Sequence, residues 1–212
     1  MRRTLFALGT LTLAVVWLGP LPELASGRFS AHMTMHMGVV AVAAPLLALA
    51  LAGGPFDPAR RRPALFSAIP ASILELVVVW SWHAPVLHHT ARTSVAGLAA
   101  EQGTFLLSGL LVWISAFGGE SGRAGGRAAA GVVALLLTSM HMTLLGALIA
   151  LSSRPLYVHA AAHHTPQSML EEQHLGGAIM LVVGGVAYLA GGLWLSARLL
   201  NHRPIVEPRG LG

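Results

Sequence analysis

The chain contains no cysteine and no lysine. The first absence removes disulfides and every thiolate metal site from consideration. The second leaves arginine as the whole basic complement, thirteen residues, and no run of them is interleaved with aromatics as on a nucleic-acid-binding face. A nucleic-acid partner is therefore not expected. Charge of either sign is scarce as well. Only 10% of the 212 residues are charged, against 55% hydrophobic, and mean hydropathy is +0.69. A soluble domain does not need so much apolar residue to fill its core. The apolar residues also gather into blocks about 20 long, the length of one bilayer-spanning helix, so the lipid bilayer is the first partner the sequence implies.

Hydrophobic runs fall at roughly Thr4 to Gly19, Ala31 to Ala52, Ala64 to Trp82, Val95 to Phe117, Ala128 to Leu151 and Leu175 to Leu200. The expected fold is all-α: a polytopic membrane bundle of about six transmembrane helices forming one integral-membrane domain over residues 1–212. Short turns at Gly53 to Pro63 and Gly118 to Gly126 leave no room for a soluble catalytic domain, and an enzyme is not expected. Assigning loops alternately puts Arg2, Arg3, Arg60, Arg61, Arg62, Arg123, Arg127, Arg198, Arg203 and Arg209 on one side and only Arg28, Arg92 and Arg154 on the other. By the positive-inside rule both termini are then cytoplasmic. The first segment also has the parts of a signal peptide, with Arg2 and Arg3 before a short apolar core and Ala25-Ser26-Gly27 after it. Pro20, Pro22 and Glu23 make a poor approach to such a cleavage site.

What is abundant is histidine and methionine, eleven and eight residues. His32, Met33, Met35, His36 and Met37 crowd the start of the second run, and Met140, His141 and Met142 repeat the theme in the fifth. Thioether sulfur selects soft Cu(I), and imidazole also holds Cu(II), so the pair without thiolate points to copper handled outside the reducing cytosol. The topology places His32, His36, His83, His88, His89, His159, His163, His164 and His174 on or near the outer face, His141 within a helix and only His202 inside. Counting ~1.5 Å per residue from the inner ends puts His141 at ~20 Å, His36 at ~26 Å, His83 at ~30 Å, His32 at ~32 Å and His174 at ~36 Å. Such levels fit either one outer-leaflet site or a short ladder into it.

His32 with His36, and Met33 with Met37, are four residues apart and share one broad helix face. Met140, His141 and Met142 diverge by about 100° each, and His141 is the natural ligand among them. A histidine ring in hydrocarbon is costly without a partner, which favours a functional role for His36 and His141. Packing is the plainer account of any single methionine, and hydrogen bonding to backbone or lipid headgroups the plainer account of His88, His89, His159, His163 and His164 in exposed loops. Glu75 and Glu101, at ~18 Å and ~26 Å, each need a bound cation, a histidinium or a hydrogen-bonded protonated state. Gly177, Gly184 and Gly191 form a seven-residue stripe that permits close helix packing.

The chain resembles the polytopic CtaG-type cytochrome c oxidase assembly factors of bacterial membranes over nearly everything from Gly19 to Leu200. The likeness rests on Phe29-Ser30-Ala31-His32-Met33 followed by His36-Met37 and Ala44-Pro45-Leu46-Leu47, and on Trp82-His83-Ala84-Pro85. It continues in His141-Met142 with Leu145-Gly146-Ala147, in Arg154-Pro155-Leu156-Tyr157, and in Glu171-Glu172-Gln173-His174-Leu175-Gly176-Gly177 with Ile179-Met180. Glu101-Gln102 departs from the family's Glu-His, and His174 stands where relatives carry glutamine. The resemblance implies a role in maturing a haem-copper oxidase at the stage where copper enters, in a bacterial plasma membrane. The residues implied to carry it are His32, His36, His83 and His141, with Met33, Met37, Glu101 and His174 as further candidates. The expected cargo is copper, as Cu(I), taken from an external donor and passed to an oxidase subunit. A haem-binding electron-transfer protein and a metal-free assembly chaperone are the alternatives. Neither a zinc-protease helix nor a serine nucleophile motif is present, and the apolar inner halves of the helices argue against an importer.

Overall fold

The computed structural model describes residues 1–119, 124–157 and 165–201. His159, His163, His164, His202, Arg123, Arg203 and Arg209 lie outside the described residues. Within them every regular element is helical. In chain order these are α1 (Arg2–Leu18), α2 (Leu21–Ala25), α3 (Phe29–Leu51), α4 (Pro58–Arg61), α5 (Ala68–His83), α6 (Pro85–Thr93), α7 (Val95–Phe117), α8 (Ala124–Ala150) and α9 (Pro166–Asn201).

Among the described residues four helices, α3, α7, α8 and α9, are long and apolar enough to cross a bilayer, and α5 with α6 makes a fifth if the two count as one broken span. The run expected as the first span forms α1, whose 17 residues give ~25 Å of helix against ~30 Å of hydrocarbon. Leu107, Leu136, Leu144, Val186 and Leu193 point outward, as they do where the surrounding solvent is lipid. The architecture is that of a multi-pass membrane protein.

Proline and capping chemistry decide where the helices break. Pro85 lacks a donor and disfavours helical backbone at Ala84, so the chain turns by 72° between α5 and α6. Ser94 then restarts the helix, its hydroxyl accepting the Gly97 N–H at 2.9 Å. The last helix begins nine residues before Leu175, because Thr165 caps it through the Ser168 N–H and Pro166 occupies its first position.

α3 runs through the middle, packed by α1, α2, α7 and α9. Of its most apolar stretch 61% is buried, against 39%, 44% and 33% for α7, α8 and α9. It carries a wide π turn at Gly38–Ala43, and α9 carries another at Met180–Gly184. The Val40 carbonyl in the first of these accepts the Trp113 indole N–H at 2.9 Å, so the irregular backbone is satisfied by a neighbouring helix. α8 and α9 touch backbone to backbone: a Cβ on Gly177 would stand 2.6 Å from the Ala150 nitrogen and 2.8 Å from the Gly146 carbonyl oxygen. At the end opposite the histidines, the buried Asp57 carboxylate gathers the N–H groups of Gly53, Ala59 and Gly119 at 2.7, 2.9 and 2.9 Å and ties two turns together.

Candidate metal centre

The start of α3 is set by Glu172 of α9, whose Oε2 accepts both the Ser30 N–H at 3.2 Å and the Ser30 hydroxyl at 2.5 Å. From there the four-residue spacing puts His32 and His36 on one face. That face meets the C-terminal end of α5, the inner side of α6 and the first turns of α7. The imidazoles form a file: His88 to His32 with ring centroids 4.8 Å apart, His32 to His83 at 5.5 Å, and His83 to His36 at 5.2 Å. Phe105 closes one side against His36 at 4.1 Å. His141 of α8 continues the file, near enough to His36 for the two rings to interact electrostatically. All five rings are buried, so the structure gathers His32, His36, His83 and His141 and adds His88.

Their hydrogen bonding is unusual for buried imidazole. His83 Nδ1 lies 2.7 Å from the Val79 carbonyl. A carbonyl only accepts, so Nδ1 carries the proton and Nε2 presents a bare lone pair. That Nε2, and both ring nitrogens of His32, His36 and His141, have no hydrogen-bond partner among the described residues. Buried polar atoms are normally satisfied, and each exception calls for a reason. An orienting bond on one nitrogen with the other left open is the arrangement that a metal-ligating histidine adopts.

Glu101 brings a charge to the His32 and His88 end of the file. Its Oε2 lies 3.7 Å from His32 Nδ1, accepts the Gln102 amide N–H at 3.2 Å and is hydrogen-bonded by the Arg92 guanidinium. Gln102 in turn accepts the Trp17 indole N–H at 3.2 Å. His32, His88 and Glu101 each offer a ligand atom within 4.8 Å of the other two. Ligands ~2 Å from a common ion lie at most ~4 Å apart, so closing this trio on a cation requires side-chain movement of about an ångström. A carboxylate with neutral imidazoles suits Cu(II) and Zn(II), and imidazole nitrogens also serve Cu(I).

The remaining candidates are placed elsewhere. Met33 packs on Gly176, its Cγ 3.0 Å from where a Cβ would stand there, and the Met37 sulfur is 3.7 Å from the equivalent point on Gly184. The two methionines thus turn toward α9, a helical step of ~100° away from the histidine face. His174 lies apart from the file, its Nε2 donating to the Ser152 carbonyl at 2.9 Å. Its neighbour Gln173 accepts the Leu156 N–H at 2.7 Å and donates to the Ile149 carbonyl at 3.2 Å. This end of α9 therefore shapes the segment after α8, which delivers Tyr157. The Tyr157 hydroxyl donates to the His83 carbonyl at 2.8 Å, and its ring lies against His88 at 4.6 Å and Phe29 at 4.3 Å; burial pushes its phenol pKa up. Glu75 is also separate, hydrogen-bonded by the Tyr188 hydroxyl at 3.0 Å and Thr138 at 3.1 Å.

The profile of the cytochrome c oxidase caa3 assembly factors matches residues 1–202. The chain belongs to this family. No curated protein and no solved structure matches it. The span matched to the caa3 assembly-factor family covers the whole histidine file and the Glu171 to Gly177 stretch.

His88, Arg92 and Tyr157 were not among the residues singled out as ligands from sequence. For His88 the correction is substantive: the two adjacent histidines after Pro85 read as exposed loop residues, but α6 turns His88 inward and leaves His89 exposed. The signal lay in the four-residue spacing of His88 and Arg92 after a helix-breaking proline, which places both on one side of a short amphipathic helix.

Proposed function

We propose that this assembly factor carries copper, as Cu(I), on its buried histidine file and hands it to a haem-copper oxidase subunit docked beside the bundle. The observation that carries the reading is the set of open ring nitrogens on His32, His36, His83 and His141, buried without hydrogen-bond partners among the described residues. Copper is cargo in this scheme. Imidazoles spaced 4.8 to 5.5 Å apart permit ligand exchange from one ring to the next, because an ion leaving one pair of nitrogens is already within reach of another. Weak, exchangeable ligation serves transfer better than a closed cage. Met33 and Met37, on the adjoining face of the same helix, offer a soft route toward α9.

Six crossings with both termini cytoplasmic fit this role, with α1 and the α5–α6 pair as short or broken crossings, in the plasma membrane of a bacterium. That orientation opens the Glu101 end of the file to the exterior, where a copper donor is met. The rings are too close to one another, and too tightly flanked by Phe105 and Phe29, to seat a porphyrin between them, which favours an ion over haem.

The test is elemental analysis of protein purified in mild detergent from copper-replete cells, beside a variant with His36 and His83 both changed to alanine. The expected result is about one copper per chain in the native protein and none in a folded variant. Absence of copper from native protein that still supports oxidase maturation would replace this reading with a metal-free chaperone.

A further inference from the structure

We propose that Arg92 determines which charge of ion the outer end of the file accepts, favouring a monovalent cation over a divalent one. The proposal rests on the copper-carrying reading above and names a specificity residue for it. Arg92 comes from α6, one helical turn after His88, and its side chain is almost wholly enclosed, at 6% exposure, with Glu101 at 0%. Glu101 is the carboxylate that His32 and His88 approach, and the same Oε2 that lies beside His32 is bonded by the guanidinium.

The consequence follows from charge. Guanidinium stays protonated in proteins, so Arg92 and Glu101 cancel, and the ligand trio taken together with Arg92 is electrically neutral before an ion enters. A monovalent ion then leaves one net positive charge in a buried place, and a divalent ion leaves two. The repulsion between Arg92 and the ion scales with the ion's charge. A penalty factor f on binding a monovalent ion is therefore about f squared for a divalent ion of the same position. An acidic trio without the arginine favours Zn(II) or Cu(II), the ions that carboxylate and imidazole otherwise hold best. With the arginine present, the balance moves toward Cu(I).

The geometry also separates this role from simple positioning of the carboxylate. Gln102 already donates to Glu101 Oε2 from the neighbouring position and is itself held by Trp17. Glu101 therefore keeps an orienting partner when the guanidinium is removed. The arginine's distinct contribution is its charge.

The experiment uses full-length protein in mild detergent. Affinities for Cu(I), under anaerobic reducing conditions, and for Zn(II) are measured by competition with chromophoric chelators for the native chain and for Arg92→Gln, Arg92→Met and Arg92→Lys. In the two uncharged variants Cu(I) binding should tighten roughly tenfold and Zn(II) binding roughly a hundredfold, by the scaling of Coulomb energy with charge. The preference for Cu(I) over Zn(II) then falls about tenfold. Arg92→Lys, which keeps the charge and loses the fork, should retain the native preference. An unchanged ratio in Arg92→Gln and Arg92→Met, or equal weakening of both ions, would overturn the inference and make Arg92 a positioning residue, with the copper reading intact. Failure of both uncharged variants to fold would assign Arg92 to stability and overturn it as well. Binding of neither ion by the native chain would overturn the copper reading and this inference together.

Discussion

Two alanine substitutions seven residues apart on α9 should have opposite outcomes. At Gly177 an added Cβ would stand 2.6 Å from the Ala150 nitrogen, 2.7 Å from its Cβ and 2.8 Å from the Gly146 oxygen. Two of these are backbone atoms that no rotamer change can move, so α8 and α9 must separate. Overpacking of this kind costs about 1–3 kcal/mol. At Gly184 the nearest atoms are the Met37 sulfur at 3.7 Å and the Met142 Cβ at 4.0 Å, ordinary contact distances. There, alanine's better helix propensity, worth up to ~1 kcal/mol, makes the change neutral or mildly stabilising. Gly177→Ala and Gly184→Ala should therefore differ by ~1–4 kcal/mol, with ~2–3 kcal/mol in the middle of that range corresponding to about 4–12 °C in midpoint at the usual ~2–4 °C per kcal/mol for a chain of this size. Temperature-resolved size exclusion in one detergent reads the difference without relying on helix content, which survives loss of packing. Equal midpoints would refute the claim that backbone contact at Gly177 holds the two helices together.

Glu172→Ala removes the acceptor of the Ser30 N–H and hydroxyl at the start of α3, and a loss of about 1–2 kcal/mol is expected, with faster amide exchange at Ser30 than in the native chain. Tyr157→Phe deletes the bond to the His83 carbonyl, and should lower stability by ~1 kcal/mol while speeding release of bound copper to a chelator. Unaltered release would show that Tyr157 only packs. Trp113→Phe strands the Val40 carbonyl in the π turn of α3, and ~1–2 kcal/mol of destabilisation is expected in the same thermal assay.

The long apolar runs were legible because a spanning helix leaves a signal of composition and length alone. The runs at Ala31 to Ala52 and Val95 to Phe117 correspond closely to α3 and α7. What local signals could not give was the direction in which polar residues extend a helix. Glu171, Glu172 and His174 depress the hydropathy of a segment that Thr165 and Pro166 nevertheless start as helix, so α9 begins earlier than its apolar part. The two π turns have no sequence signature, and they shift the face presented by every residue beyond them. On the histidines, helical spacing alone was enough to pair His32 with His36. Placing His88 required knowing that α6 folds back after Pro85 by 72°, which depends on the packing of α5 and α7 around it. The direction of Met33 and Met37 likewise depends on where α9 lies. Glu171 to Gly177 was read with His174 as a candidate ligand. In the structure Glu172 reaches the start of α3, while Gln173 and His174 both reach the end of α8 and the turn after it, so the stretch holds these elements together apart from the histidine file.

The open nitrogens of the histidine file carry a thermodynamic consequence. A buried polar atom without a partner costs about 1–3 kcal/mol, and His36, at no exposure, has two ring nitrogens with no hydrogen-bond partner among the described residues. His36→Leu replaces an imidazole by an aliphatic group of similar size, and removes both. Swapping a buried polar group for an apolar one of like shape is neutral or stabilising when nothing else depended on it. In copper-free protein the variant should therefore be as stable as the native chain or up to ~2 kcal/mol more stable. If the file carries copper as proposed, Cu(I) should reverse the order. An ion that binds only the folded state stabilises it by RT ln(1 + [L]/Kd), about 2.7 kcal/mol at a hundredfold excess over Kd. Native protein should gain that amount on titration with Cu(I), and His36→Leu should gain little. The two thermal midpoints then cross as copper is added, a behaviour that packing histidines cannot produce. A copper-free His36→Leu protein less stable than native by more than ~1 kcal/mol would mean that the ring is satisfied in the apo state, and that His36 is there to hold the bundle.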